Sequence, residues 1–202
     1  MKRQKENKKI VIGITGGLGT GKSTVVRMLK SYGAAVIDAD QIAHGIIKPG
    51  KKIYLKLVET FGKKILGRNK NIDRKKLARA AFRNKNSLRK LNLIMHPEII
   101  QAIKEGIKKS PRKAVVVDAP LLIEAGLRGL VDKIIVVRAE RETQLKRLLG
   151  KRRLTKKDIA RRIKVQMPLE KKFCFADFII DNSGSREKTR RQVAGIWKTL
   201  EN

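Results

Sequence analysis

Residues 10–33, IVIGITGGLGTGKSTVVRMLKSYG, constrain the fold more than any other stretch of the chain. Ile10–Thr15 is short and rich in β-branched residues, which predicts a strand. It runs directly into glycines, after which Val25, Val26 and Leu29 recur at helical spacing until Gly33 stops the helix. Gly16–Ser23 fits the pattern G-x-x-x-x-G-K-[ST], which arises by chance in on the order of one chain in a hundred. Here it also has the strand before it and the helix after it that a phosphate-binding loop requires. Gly16, Gly19 and Gly21 let the backbone wrap so that its N–H groups face a phosphate, and the helix N-terminus adds its positive end. Gly17, Leu18, Gly19, Thr20, Gly21, Lys22, Ser23 and Thr24 are therefore the candidate nucleotide-binding residues. Lys22 is placed to reach the β/γ-phosphates, and Ser23 to offer a hydroxyl to Mg²⁺.

The rest of the chain extends this unit. "AAVID" (34–38) reads as a second strand, parallel to the first through a right-handed helical crossover. "KAVVVD" (113–118), "DKIIVV" (132–137) and "DFIID" (177–181) complete a predicted α/β fold, a P-loop NTPase-like five-stranded parallel sheet flanked by helices. Residues 41–110 hold helical patterns and no good strand, with Asp73 and Asn84 as expected N-caps and Pro97 expected near a helix start. Residues 141–175 predict a second helical insertion, broken at Gly150 and capped again at Thr155. It suits a lid that closes over phosphates, or an ordinary surface hairpin. The core is then 9–40, 111–140 and 176–202, ending in a helix expected to dock through Val193, Ile196, Trp197 and Leu200.

Charge and composition narrow the partners. Fifty Lys and Arg against 18 Asp and Glu give a net charge of +32, a field that attracts anions or simply solvates a lysine-rich surface. Aromatic residues make up only 4% of the chain, too few for the stacking platforms of a single-strand binder, so no specific nucleic-acid partner is expected. No apolar run is long enough to span a bilayer, which predicts a cytoplasmic protein without a membrane partner. The single cysteine, Cys174, has no partner for an internal disulfide and is expected to be a small buried apolar residue. A monomer or small homo-oligomer is expected.

Acids are scarce, so their positions carry information. In an open α/β sheet, ligands bind beyond the carboxyl ends of the strands, so Asp38 and Asp40 in "VIDAD" and Asp118 at the end of "AVVVD" are expected at the edge that carries the glycine loop. A carboxylate there can accept a hydroxyl proton, orient the hydroxyl or hold magnesium. Asp40 could instead cap the helix "QIAHGII", and Asp38 could bond the strand end. His96 could be a satisfied structural histidine, and His44 reads as a surface residue.

"GITGGLGTGKSTV", "VIDADQIAH" followed by "KPG", "FG" at 61–62, "IMHPEI", "DAPLLIEAGL", "ETQLKR" and "DFIIDNSG" occur in the order and with the spacing of the dephospho-CoA kinase family, which the chain resembles from Ile10 to Trp197. The resemblance implies a core, a helical CoA-binding subdomain at about 41–110 and a lid at about 141–175. It also implies transfer of the ATP γ-phosphoryl to the ribose 3′-hydroxyl of dephospho-CoA, with ATP and Mg²⁺ as cofactors, in the last step of coenzyme A synthesis. Asp40 falls on the family's proposed catalytic base, with Asp38 supporting the site. His96 and Pro97 match the acceptor-binding region, and Asn182 and Gly184 match a turn near the adenine. Arg147 is the candidate lid cation for the transferred phosphate. The chain departs from the family three positions after Gln166, where Leu169 stands in place of an arginine. Lys171, Lys172, Arg152 and Arg153 are candidates to compensate. Two other readings remain open at this point: a P-loop kinase acting on another small acceptor such as a nucleoside monophosphate, and a basic P-loop protein associated with nucleic acid.

Overall fold

The structure is a computed structural model that describes residues 9–149 and 166–201. It forms two compact units, one drawn from Met1–Ile37 and Lys109–Asn202 and the other from Asp38–Lys108.

The first unit is built on a five-stranded sheet of β1 (Ile10–Gly16), β2 (Ala35–Asp38), β3 (Ala114–Asp118), β4 (Lys133–Arg138) and β5 (Phe178–Asp181), in the order β2-β3-β1-β4-β5. β1 pairs in parallel with β3 and β4, and β4 with β5. β1, β3 and β4 are buried on both faces along their middles, so they read as continuous aliphatic runs rather than alternating ones. Ile12, Ile14, Val116, Ile135, Val137 and Ile180 form the core together with Val25 and Leu29 from α1 (Lys22–Ser31). The C-terminal helix Arg186–Glu201 docks on it through Val193 and Trp197, with Ile196 and Leu200 packed alongside and Trp197 stacked on Tyr32.

Two aspartates set the strand register at the entry edge. Asp132 donates its N–H to the Val11 carbonyl and accepts the Val11 N–H on its carboxylate, each at 2.8 Å. Asp177 makes the same pair of bonds to Ile134. An acid one position before a parallel strand thus extends the ladder where the backbone alone would leave an N–H unmet. The opposite edge carries the loops that follow β1, β3, β4 and β5, and β1 lies between β3 and β4, where the strand order reverses.

The second unit contains α2 (Ala39–Ile46), α3 (Lys52–Phe61), α4 (Arg74–Ala81) and most of α5 (Lys85–Lys109) around Ile53, Leu57, Phe61, Ile65 and Leu77. Asp73 caps α4 by accepting the N–H groups of Lys75 and Lys76, and Asn84 accepts the N–H of Ser87 at the head of α5.

Two expectations are corrected. Pro97 lies inside the 25-residue α5, not near a helix start. Proline removes one helical N–H, but nothing in "NLIMHPEII" offers a glycine stop or a new side-chain cap, so the helix continues through it. Cys174 is exposed. It follows the short helix Leu169–Phe173, whose buried residue is Lys172.

Candidate active site

The loop between β1 and α1 is shaped from within and from outside. Gly19 and Gly21 have φ of 83° and 80°, the left-handed region in which a side chain is strained. A Cβ on Gly21 would stand 2.2 Å from Asn182 Nδ2 and 3.2 Å from an Arg147 guanidinium nitrogen, so the position excludes side chains on two counts. The fully buried Thr20 closes the turn by donating its N–H and its hydroxyl to the Gly17 carbonyl, at 3.3 and 2.9 Å.

Asp118 ends β3 in register beside Ile14 of β1, two residues before the loop. There its carboxylate pairs with the Lys22 ammonium, each side chain largely shielded from solvent. Ser23 is exposed in the first turn of α1. A hydroxyl and a carboxylate are hard oxygen donors of the kind Mg²⁺ takes together with substrate phosphates. No cluster of three or more His, Cys, Asp or Glu that could hold a metal by itself occurs among the described residues.

Arg147 and Asn182 meet at the loop. On α6 (Arg141–Leu149), the Arg147 guanidinium donates to the carbonyls of Thr20 (3.2 Å) and Asn182 (2.8 Å). The Asn182 side-chain amide donates to the same Thr20 carbonyl at 2.7 Å and accepts the hydroxyl of buried Thr189 at 2.9 Å. Thr189 had no sequence signal, since a polar residue in a helix reads as solvent-facing. Gly184 lies in the turn after β5, where a Cβ would meet Lys188 at 3.4 Å. Beside that turn Asp181 is held below its ordinary carboxylate value. Burial pushes its pKa up, but the hydrogen bonds from Ser183 and the charge of Arg138 together outweigh it.

Asp38, Asp40, His96 and Pro97 belong to the helical unit. Asp38 is the N-cap of α2, accepting the Gln41 N–H at 2.9 Å. The cap expected as one alternative for Asp40 is thus taken by Asp38, which leaves the Asp40 carboxylate exposed in the first turn. His44, one turn on, is half-buried, and desolvation lowers its pKa, with Arg74 adding to the effect and Asp40 and Asp38 opposing it. His96 and Pro97 line a groove of about 400 Å³ along α5 with Lys85, Leu88, Arg89, Asn92 and Leu93. Desolvation holds His96 below its usual pKa.

The candidates to compensate for Leu169 lie in different environments. Lys172 is fully buried, with its ammonium 2.8 Å from the Pro120 carbonyl, 3.0 Å from the Glu124 carboxylate and 3.2 Å from Thr15 Oγ1. It is therefore withdrawn as a compensating phosphate cation. Lys171 is exposed, and Arg152 and Arg153 lie outside the described residues, as do Gly150 and Thr155.

A glycine loop after the central strand of a parallel sheet, with its lysine paired to the acid ending the neighbouring strand, defines a P-loop nucleotide-binding fold. Comparison with known proteins narrows the class. The family model for dephospho-CoA kinase matches residues 10–188. The chain is 46% identical over 194 residues to the dephospho-CoA kinase of Carboxydothermus hydrogenoformans, covering 93% of this chain and 94% of that one. Among solved structures, a Thermus thermophilus protein superposes with a TM-score of 0.84 at 30% identity, over 96% of this chain and 98% of that one. The dephospho-CoA kinase of Campylobacter jejuni superposes with a TM-score of 0.68 at 31% identity, over 94% and 96%. The chain belongs to the dephospho-CoA kinase family. Among the described residues no helix is long and apolar enough to cross a membrane.

Proposed function

We propose that this enzyme transfers the γ-phosphoryl group of ATP to the ribose 3′-hydroxyl of dephospho-CoA, giving coenzyme A and ADP in the cytoplasm. The observation that supports the donor half is the Lys22–Asp118 contact, a cation and a carboxylate of the kinds that take the β/γ-phosphates and their counter-ion. The loop N–H groups from Gly17 to Thr24 and the start of α1 cradle the phosphates. Ser23 and Asp118 would hold Mg²⁺, which supplies charge neutralisation at the leaving phosphate when bound. Arg147, already against the Thr20 carbonyl, is the candidate cation for the transferred group, and Asn182, bonded to the same carbonyl, is with Gly184 the candidate adenine-side turn.

The acceptor half falls to the Asp38–Lys108 unit, and the segment 141–175 acts as the lid. Asp40 accepts the 3′-hydroxyl proton as that oxygen bonds to the γ-phosphorus. The bond from the γ-phosphorus to the β–γ bridging oxygen breaks, and the electron pair leaves with ADP. Asp38 supports this by fixing the first turn of α2, on which Asp40 stands. His96 and Pro97 line the groove read as part of the acceptor region.

The test is ATP consumption with and without dephospho-CoA, with the product checked for a new 3′-phosphate and nucleoside monophosphates run as competing acceptors. Acceptor-dependent formation of coenzyme A is expected, and turnover on nucleoside monophosphates alone would overturn the acceptor assignment. Asp40→Ala should lower kcat at least about a hundredfold while leaving ATP affinity close to the parent's. A variant that keeps near-normal turnover would remove Asp40 as the base.

A further inference from the structure

The contact of the fully buried Lys172 with the half-buried Glu124 has no part in the phosphoryl-transfer steps. We propose that these two residues are a positioning pair for phosphoryl transfer: together they fix the end of β1 and the turn after β3, and so the relative placement of Lys22 and Asp118.

The geometry is specific. Thr15 immediately precedes the glycine loop, and Pro120 comes two residues after Asp118. The Thr15 hydroxyl donates to the Pro120 carbonyl at 3.0 Å, and the Lys172 ammonium donates to both the Pro120 carbonyl and Thr15 Oγ1. Its remaining donor capacity goes to Glu124, whose Oε1 and Oε2 lie 3.0 and 3.3 Å away. All three ammonium hydrogens therefore have acceptors, and two of those acceptors belong to the segments that carry the loop and Asp118. Glu124 Oε1 also accepts the N–H of Met167 at 2.7 Å, which ties the chain at Met167 and again at Lys172 to the same carboxylate.

Stability alone is a poor reason for such a pair. Taking a lysine from water to full burial is costly even when it is paired, and neutral replacements of similar volume commonly match or exceed a buried ion pair in stability. An apolar pair, however, offers no donors to bridge a hydroxyl of β1 and a carbonyl of the turn after β3. Misplacement of reacting groups by about 1 Å can cost on the order of a hundredfold in rate, so a pair that sets the Lys22–Asp118 geometry acts on kcat.

The inference rests on the reading of Lys22 and Asp118 as phosphate-side groups, and the experiment separates the two. Lys172→Met, Lys172→Met/Glu124→Gln, Glu124→Gln and Asp118→Asn are made in the full chain. For each, the thermal midpoint, ATP affinity by calorimetry and steady-state kcat are measured. Lys172→Met leaves the half-buried Glu124 without its cation and the Pro120 carbonyl and Thr15 hydroxyl without their lysine donor, and both midpoint and kcat fall. The double variant removes both charges, while the amide oxygen introduced at position 124 still accepts the Met167 N–H. Its midpoint is expected to return to within a few degrees of the parent, while kcat stays at least about tenfold low. Recovery of kcat in step with the midpoint would overturn the positioning role. Should the double variant not fold, Glu124→Gln carries the test by the same split. Normal turnover by Asp118→Asn removes the Asp118 reading alone, because the midpoint-against-kcat split is judged independently of it.

Discussion

Gly21→Ala tests how the phosphate loop is built. The residue has φ 80°, where a non-glycine residue costs about 1–2 kcal/mol of backbone strain. The new methyl would also fall 2.2 Å from Asn182 Nδ2, far inside contact distance, so the amide must leave its 2.7 Å bond to the Thr20 carbonyl. Asn182 is only 4% exposed, and stranding a buried polar group costs about 1–3 kcal/mol. The Thr20 carbonyl keeps Arg147 as a donor, which limits the loss to the asparagine side. The expected sum is about 2–5 kcal/mol, which for a chain of this size lowers the thermal midpoint by roughly 4–20 °C.

The two parts separate in a double-mutant cycle. In an Asn182→Ala background the clash and the stranded amide are both gone, so Gly21→Ala should cost only the strain of about 1–2 kcal/mol. A coupling of at least about 1 kcal/mol between the positions follows. Urea unfolding of the four proteins measures it, and ATP titration of the same samples should show weaker binding for Gly21→Ala than for Asn182→Ala. Equal cost of Gly21→Ala in both backgrounds would refute the external brace and leave backbone strain as the whole effect.

Two further outcomes concern the helical unit. His96 is held below its ordinary pKa of 6.5 because burial disfavours the imidazolium. Above that value both folded and unfolded chains carry it neutral. As pH falls from there through the folded pKa, the unfolded chain takes the proton first, so stability is lost with acidification. His96→Gln should therefore show a smaller drop in thermal midpoint between about pH 7.5 and pH 5.5 than the parent. An equal or larger drop would assign the dependence to His44 or to other groups. Pro97→Ala should raise the midpoint, with up to about 3 kcal/mol of helix gain reduced by the freedom returned to the unfolded chain. If Pro97 serves acceptor binding, the KM for dephospho-CoA should rise while that for ATP holds. A lowered midpoint would mean that the proline ring packs better than the helix it interrupts.

The sequence was most informative where burial and backbone rules agree. The strands were legible to within a residue because aliphatic runs bounded by acids and glycines have few other solutions, and Asp73 and Asn84 were legible because a short acceptor before an amphipathic run is a cap. Pro97 misled because proline marks both a helix start and a helix interruption, and only tertiary context separates them. Lys172 and Cys174 were exchanged in their environments for one reason. Hydropathy puts a cysteine inside and a lysine outside, whereas the Lys172 side chain finds a carbonyl, a hydroxyl and a carboxylate that a cysteine two residues on could not reach. An ion pair that buries its lysine is invisible to periodicity, since both partners read as surface, and "PLLIE" with "LEKKF" gives no sign that one acid meets one lysine.

The same limit applies to Asn182 and Arg147, whose shared contact with the Thr20 carbonyl periodicity does not reveal. When a loop turns its N–H groups inward toward an anion, its carbonyls are turned outward, and each must find a donor or lose a hydrogen bond on burial. The Gly17 carbonyl is met from within the loop by the N–H and hydroxyl of Thr20. The Thr20 carbonyl has no donor in the loop, and takes one from Asn182 after β5 and another from Arg147 on α6. Thr189 in turn orients the Asn182 amide by donating to its oxygen, so three segments remote in sequence act on one carbonyl. Thr189→Val would remove that orientation without touching the loop. If the carbonyl side sets the shape of the anion site, ATP affinity should fall in Thr189→Val and return in Thr189→Ser, whose hydroxyl keeps the bond. Unchanged affinity in the valine variant would mean that the glycines alone hold the loop.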